Sequence, residues 1–175
     1  MTITVQPYTA SWAKDYLLEE AKIKSILSDK LLACHHIGST SVAGQAAKPI
    51  IDIMPVVNDI SEVDQLIPDF EAIGYESLGE NGIPGRRFLR KGGDLRTHHI
   101  HVFDESNQND IQRHLAVRDY LRSHPSICKD YGALKSKLAK QFPNDIDGYC
   151  DGKDAFVKQM EADAIKWYEN QSNKN

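Results

Sequence analysis

The 175-residue sequence has only three cysteines, and none of them belongs to a Cys-x-x-Cys pair. Because Cys34, Cys128 and Cys150 are odd in number and far apart, they fit neither a disulfide framework nor a zinc knuckle. No apolar run approaches the roughly 20 residues that span a bilayer. The first residues, 1–7, lack the basic and apolar segments of a signal peptide. These absences predict a cytoplasmic protein with reduced thiols and no membrane contact.

Basic charge is also scarce, since 21 lysines and arginines face 25 acidic residues and the formal net charge is −4. Proteins that bind nucleic acid need clustered cations to neutralise phosphates, so a nucleic-acid partner is not expected. With 41% hydrophobic and 26% charged residues, the composition is that of a globular protein. The length suits one domain. We therefore predict a single domain over residues 1–169, followed by a polar tail over residues 170–175.

The spacing of apolar residues predicts the order helix, strand, strand, helix, hairpin and then helices. This order indicates an α/β (α+β) fold, in which a mixed sheet is flanked by helices and the C-terminal third is helical. The strand that begins at Ile50 is apolar on both faces, as expected of a buried central strand. The predicted helices are 11–27, 61–73, 111–122, 126–142 and 153–168, and the predicted strands are 31–37, 50–57, 86–90 and 97–103.

The densest chemical signal is a small turn followed by an acid on the next strand. In Gly38-Ser39-Thr40, backbone N–H groups and hydroxyls can approach an anion closely, and Lys48 adds a point charge. Asp52 lies on the buried strand, where a carboxylate is costly unless it is paired or bound to a metal. A phosphate cradle facing a carboxylate suits a magnesium–nucleotide complex. The alternative is an ordinary Gly-Ser turn with an aspartate that caps a neighbouring segment.

Six stretches of the sequence carry a further signal when they are taken together. They are 36–42 (HIGSTSV), 47–53 (AKPIIDI), 99–102 (HIHV), 118–122 (RDYLR), 131–135 (YGALK) and 153–156 (KDAF). Together these stretches resemble the GrpB family, a branch of the nucleotidyltransferase superfamily. The resemblance covers nearly the whole chain, and it implies a nucleotidyltransferase-like fold and a metal-dependent transfer from a nucleoside triphosphate.

The superfamily pattern is a Gly-Ser, a spacer and then Asp-x-Asp, whose carboxylates hold magnesium. By this resemblance Gly38 and Ser39 match the Gly-Ser, and Asp52 matches the first aspartate. Met54 stands where the second aspartate is expected, and a thioether is a poor magnesium ligand. The expected cofactor is therefore a divalent cation, magnesium or manganese, held by one carboxylate with or without a replacement ligand.

His99 and His101 are the candidates for that replacement, because alternate residues on a strand point to one face. With Asp52 they would form a metal site whose donors favour zinc, manganese or iron. Protonated histidines that bind a substrate phosphate, or a simple hydrogen-bonded pair, are the alternatives. A histidine-triad hydrolase is disfavoured because Phe103 occupies its third histidine position.

Two groups of basic residues are further candidates for binding phosphate. Arg90 shares a face of the predicted hairpin with Arg86 and Phe88, beside a glycine-rich loop over residues 79–85 that could cover a pocket. Arg118 lies on a helix face together with His114 and Arg122. For both groups the alternative is a solvated surface.

Three hypotheses follow from these patterns. The first is a nucleotidyltransferase that acts on a small-molecule acceptor. The second is a protein of the same fold that binds a nucleotide or another phosphorylated small molecule without turnover, and the third is a hydrolase with an Asp/His metal centre. All depend on the turn lying close to Asp52. The predicted catalytic residue is Asp52, the phosphate-binding residues are Gly38, Ser39, Thr40, Lys48, Arg90 and Arg118, and the metal ligands are Asp52, His99 and His101.

Overall fold

The computed structural model describes residues 2–173, and its chain divides into two compact units. The first unit, which we call the sheet unit, comprises Ser11–Ile37 and Ile50–Ile111. The second, the helical unit, comprises Met1–Ala10, Gly38–Pro49 and Gln112–Asn175.

The sheet unit contains a five-stranded mixed sheet with the order β1-β2-β5-β4-β3. Strand β2 pairs with β1 in antiparallel and with β5 in parallel orientation, and the pairs β4–β5 and β3–β4 are antiparallel. The buried central strand predicted from residue 50 is therefore confirmed as β2. The strands are β1 (Leu31–Ile37), β2 (Ile51–Val57), β3 (Tyr75–Ser77), β4 (Arg87–Lys91) and β5 (His98–Asp104), and the helices are α1 (Ser11–Leu27) and α2 (Ile67–Ala72).

The register of the sheet sets out the polar residues in a row across three strands. Asp52 on β2 is paired with His99 on β5, and His99 is paired with Arg90 on β4. Paired residues of neighbouring strands point to the same face of the sheet. The same rule places His101 opposite Phe88, one step along this face. The sheet therefore brings one carboxylate and two imidazoles together, as the alternation in the sequence predicted.

The helix predicted from Ser61 differs from the one observed. Residues Ile60–Leu66 form a 3₁₀ helix whose first turn is capped by Asp59, and α2 is a separate short helix. Pro68 lies in the first turn of α2, where its missing N–H group costs no hydrogen bond. Strand β3, which follows α2 at Tyr75, was not predicted because its three residues are too few to show an alternating pattern.

Within residues 2–173, the helical unit has three α-helices, as predicted for the C-terminal third. They pack around a core that includes Leu121, Tyr131 and Met160, and around a second cluster that includes Tyr149. The last helix begins earlier than predicted, at Ile146, because Asp145 caps its N-terminus. The helices are α3 (Gln108–Ser123), of which most belongs to this unit, α4 (Pro125–Gln141) and α5 (Ile146–Ser172).

Helix α5 also extends beyond its predicted end and includes the first residues of the predicted polar tail. The last two residues of that tail, 174–175, lie outside the described residues. Among residues 2–173, no helix combines the length and the apolar composition that crossing a bilayer requires.

The turn between β4 and β5 contains two glycines that should respond very differently to the same substitution. Both have positive φ, 107° at Gly92 and 58° at Gly93. A Cβ atom on Gly92 would lie 2.3 Å from the Leu95 carbonyl oxygen, whereas one on Gly93 would meet nothing within 4 Å. We expect Gly93→Ala to lower the free energy of unfolding by about 1–2 kcal/mol and Gly92→Ala by about 3 kcal/mol or more. Urea unfolding of the two variants tests this, and equal losses would contradict the geometry.

Candidate functional site

Asp52, His99 and His101 form a compact polar group in the sheet unit. Oδ1 of Asp52 lies 3.0 Å from Nε2 of His101 and 3.4 Å from Nδ1 of His99. The three side chains are partly buried, with 27%, 24% and 12% of the Asp52, His99 and His101 side chains exposed. Hence the predicted trio is assembled, and it keeps a route to solvent.

The environment of Asp52 keeps its carboxylate charged. Burial raises the pKa of Asp52, but hydrogen bonds from His101 and His99 outweigh this effect and hold the pKa well below its usual range. Asp52 is therefore an anion at neutral pH, which is the form that binds a cation.

The trio can supply one carboxylate oxygen and two imidazole nitrogens to a metal ion, because their ligand atoms lie within 4.8 Å of one another. Among the described residues, the buried Nε2 of His99 has no hydrogen-bond partner, so no described contact fixes the position of the ring proton. Nδ1, the nitrogen that faces Asp52, can therefore carry the lone pair that a cation shared with the carboxylate needs. By composition, a set of two nitrogens and one oxygen suits zinc, manganese or iron better than magnesium.

Arg86, which lies in the loop before β4, contacts this group through His101. Its Nη1 lies 3.3 Å from Nδ1 of His101, and its guanidinium carbon lies 4.9 Å from the centre of the Phe88 ring. Only 7% of Arg86 is exposed. The sequence pattern placed Arg86 on the same face of the hairpin as Phe88. It did not show that the side chain of Arg86 is buried against a histidine.

In the helical unit, the predicted turn carries a buried lysine. Nζ of Lys135, on α4, lies 2.8 Å from Oγ of Ser39, and it sits 4.2 Å from the centre of the Tyr131 ring. Lys135 is only 3% exposed. A lysine in such a place is costly unless an anion compensates its charge.

Two further lysines surround the same region. Lys48 and Lys153 each place Nζ 5.2 Å from the centre of the Tyr149 ring. Burial, followed by the positive charges of Lys153 and Lys48, lowers the pKa of Lys135 to about 7. The three lysines, which we call the lysine cluster (Lys48, Lys135 and Lys153), therefore make this part of the helical unit strongly favourable for an anion.

A cavity of about 190 Å³ in the helical unit is lined by several of the residues predicted to bind phosphate. Gly38, Ser39 and Arg118 all line it, as do Arg113 and the apolar side chains of α3 and α5. A mixed wall of this kind suits a small molecule that carries both an anionic and an apolar part.

The two remaining predicted phosphate ligands have other surroundings. Thr40 is only 2% exposed. Arg90 is bonded to Glu76 of β3, with 3.0 Å between Nε and Oε2. Arg122, which was placed on the same helix face as Arg118, donates to the carbonyl oxygen of Ser41. The predicted closeness of the Gly38–Thr40 turn to Asp52 concerns residues of different units, and it remains a prediction.

Sequence reasoning assigned no role to Lys135, yet the sequence contains a signal for it. Cys128, Tyr131, Lys135 and Leu138 follow one another at intervals of three and four residues on α4, and all are buried. A lysine within such an otherwise apolar stripe indicates a buried charge, and a buried charge needs a partner or a ligand.

Comparison with known proteins identifies the family of the chain. The profile described as "GrpB protein" matches residues 2–163. The chain belongs to the GrpB family. It is 45% identical over 168 residues to the UPF0157 protein YqkA of Bacillus subtilis (strain 168), and this match covers 96% of the chain and 49% of YqkA. The chain thus spans about half the length of that relative.

Solved structures confirm the family and the fold. The crystal structure of the conserved protein GrpB from Enterococcus faecalis is similar to this chain with a TM-score of 0.92 and 48% identity, covering 94% of this chain and 99% of that one. A chain of the GLD-2/RNP-8 complex matches with a TM-score of 0.52 at 12% identity, covering 91% of this chain and 58% of the other. At this low identity the second match supports the fold alone, which is nucleotidyltransferase-like, as the resemblance implied.

Proposed function

We propose that this GrpB protein is a metal-dependent nucleotidyltransferase, with a nucleoside triphosphate as donor and a small molecule as acceptor. The observation that carries the proposal is the charged carboxylate of Asp52, held beside two imidazoles on the central strand of a nucleotidyltransferase-like fold. Fold alone does not determine activity, so the side chains of each unit must be capable of this chemistry.

The residues of the sheet unit fit a divalent cation. Asp52 offers a charged oxygen, and Nδ1 of His99 lies 3.4 Å from that oxygen. A bound cation would neutralise phosphate charge in the transition state. Magnesium and manganese are often held by only one or two protein carboxylates together with substrate phosphates, so a single aspartate is sufficient.

The helical unit supplies the groups that bind phosphate in this proposal. The lysine cluster provides positive charge, and Ser39 provides a hydroxyl bonded to its most buried member. Arg118 and Arg113 add guanidinium groups, which match phosphate geometry, at the cavity that Ser39 lines.

The reaction would be a displacement at phosphorus. The acceptor hydroxyl oxygen forms a bond to the α-phosphorus, the bond from this phosphorus to the β-phosphate oxygen breaks, and pyrophosphate leaves. The hydroxyl proton is lost to solvent. Positioning and charge stabilisation account for most of the rate enhancement in phosphoryl transfer, and the charged side chains described above can provide both.

A labelling experiment tests the proposal. The protein is incubated with each of the four nucleoside triphosphates labelled at the α-phosphate, with magnesium or manganese and a pool of small metabolites. We expect pyrophosphate and a labelled acceptor from one nucleotide. A parallel sample with an RNA primer tests the expectation that nucleic acid is not the acceptor. Absence of both products in every arm would contradict the transferase.

A second candidate function is nucleotide binding without turnover, and one observation favours it. Met54 is fully buried at the position where the second carboxylate of the superfamily is expected, so it offers no oxygen to a cation. Calorimetry separates the two functions, because the binding protein would take up a nucleotide in the presence of a chelator and release no pyrophosphate when metal is added.

A further inference from the structure

Arg86 is held firmly in place beside the Asp52 centre. Its Nε donates to the carbonyl oxygen of Glu80 at 3.2 Å, and its Nη2 donates to that of Asn81 at 2.8 Å. Its Nη1 lies 3.3 Å from Nδ1 of His101. The loop before β4 and the ring of Phe88 thus fix the guanidinium with its Nη1 beside the imidazole.

This contact determines where His101 carries its ring proton. A guanidinium has five N–H donors and no acceptor, so Nδ1 of His101 must be the acceptor. In the neutral ring the proton is then on Nε2. This nitrogen lies 3.0 Å from Oδ1 of Asp52 and donates its hydrogen to the carboxylate.

A histidine that binds a metal through Nε2 needs the opposite arrangement. Its proton must be on Nδ1, where it normally donates to a carboxylate, a carbonyl or a water. Arg86 presents only a donor at that position, so two hydrogens would face each other. With Arg86 in place, His101 therefore has no lone pair on Nε2 to offer a cation.

His99 differs from His101 in this respect. Its Nδ1 lies 3.4 Å from Oδ1 of Asp52, while its buried Nε2 has no hydrogen-bond partner among residues 2–173. No described contact therefore fixes the ring proton of His99, and Nδ1 can present a lone pair to a cation shared with Asp52. We propose that Arg86 fixes His101 as a positioning residue that donates to Asp52, so that a divalent cation is bound by Asp52 and His99 and not by His101. The inference rests on the proposed function in one respect only, which is that the Asp52 centre binds a cation.

Removal of the arginine should then strengthen metal binding. In Arg86→Met the proton of His101 can move to Nδ1, which frees Nε2 as a third ligand. We expect the affinity for zinc, measured by calorimetry on the full chain without nucleotide, to rise at least about tenfold. Arg86→Lys keeps a donor at this place and should bind zinc as the wild type does.

Arg87→Met is the matched control, since Arg87 is the next residue and is bonded instead to Asp64. Its zinc affinity should equal that of the wild type. Thermal unfolding checks that all variants are folded. Zinc affinity in Arg86→Met at or below the wild-type value would overturn the inference, and so would no zinc binding by either protein.

Nitrogen-15 spectra of labelled histidines provide a second readout. In the wild type we expect the proton of His101 on Nε2, both before and after zinc is added, while the resonances of His99 shift. A His101 proton on Nδ1 in the metal-free wild type, or its displacement from Nε2 by zinc, would overturn the inference. Neither readout uses turnover, so a protein that behaves as expected here but transfers no nucleotide would lose the transferase proposal alone.

Discussion

Replacement of Asp52 by asparagine should reduce nucleotidyl transfer at least about 100-fold, because the charged oxygen that binds the cation is lost. Asparagine has nearly the same shape, and its carbonyl oxygen can still accept from His101 and His99. The fold should therefore persist, and the effect should appear in the rate of pyrophosphate release and in zinc affinity. Full activity in Asp52→Asn would remove Asp52 from the chemistry.

Asp64→Asn is the control for this experiment. Asp64 is also an aspartate of the sheet unit, but half of its side chain is exposed and it is bonded to Arg87. Its replacement should leave the rate of transfer unchanged. If both variants lost activity equally, the cause would be a general effect of charge.

Asp52→Asn should also lower the free energy of unfolding, by an amount that depends on pH in a defined direction. The pKa of Asp52 is lowered in the folded protein, so its charge stabilises the fold above the ordinary aspartate pKa of about 3.9. This contribution is lost as the pH falls through the lower pKa of the folded state. Asp52→Asn should thus cost about 1–3 kcal/mol of unfolding free energy near pH 7, and the difference from the wild type should shrink in acid.

Much of the fold could be predicted because its strongest signals are local. The helix from Ser11 shows a clear helical period, the strand from residue 50 is apolar on both faces, and Gly92-Gly93 marks the hairpin turn. Each of these patterns is visible within a few residues. The division into two units is different, since it depends on which segments of the chain pack together over long sequence distances.

The candidate site was predictable only in part, for a related reason. The alternation of His99 and His101 shows that they share a face, and pairing with β2 then brings them to Asp52. Sequence spacing does not show which donor meets which nitrogen, so the contact between Arg86 and His101 could not be foreseen. The burial of Lys135 likewise depends on the packing of α4.

The buried lysine should make nucleotide affinity depend on pH. Because burial and the neighbouring lysines lower the pKa of Lys135 to about 7, this group is largely neutral above that pH in the free protein. A phosphate favours the charged form, so binding must take up a proton. We expect the affinity for the nucleoside triphosphate to fall from pH 7.5 to pH 9, by at most about tenfold per pH unit.

Calorimetry in the presence of a chelator measures this effect. The terminal phosphate has a second pKa of about 6, so it is fully ionised over the chosen range and contributes no slope of its own. The observed binding heat should depend on the buffer, as proton uptake requires. Lys135→Met should bind more weakly and lose the slope, whereas Lys137→Met, at an exposed position of the same helix, should retain both.

The pH dependence of the free energy of unfolding, measured without ligand, gives an independent check, because the direction of the expected change is fixed. Between about pH 7 and the ordinary lysine pKa near 10.4, the unfolded chain keeps a proton on Lys135 that the folded chain has released. The free energy of unfolding therefore gains a contribution that rises with pH over this range. Lys135→Met lacks this contribution, so its stability relative to the wild type should be highest below pH 7 and should decline as the pH rises. A difference that stays constant with pH would show that Lys135 is charged in the folded protein throughout, and the lysine cluster would then bind phosphate without taking up a proton.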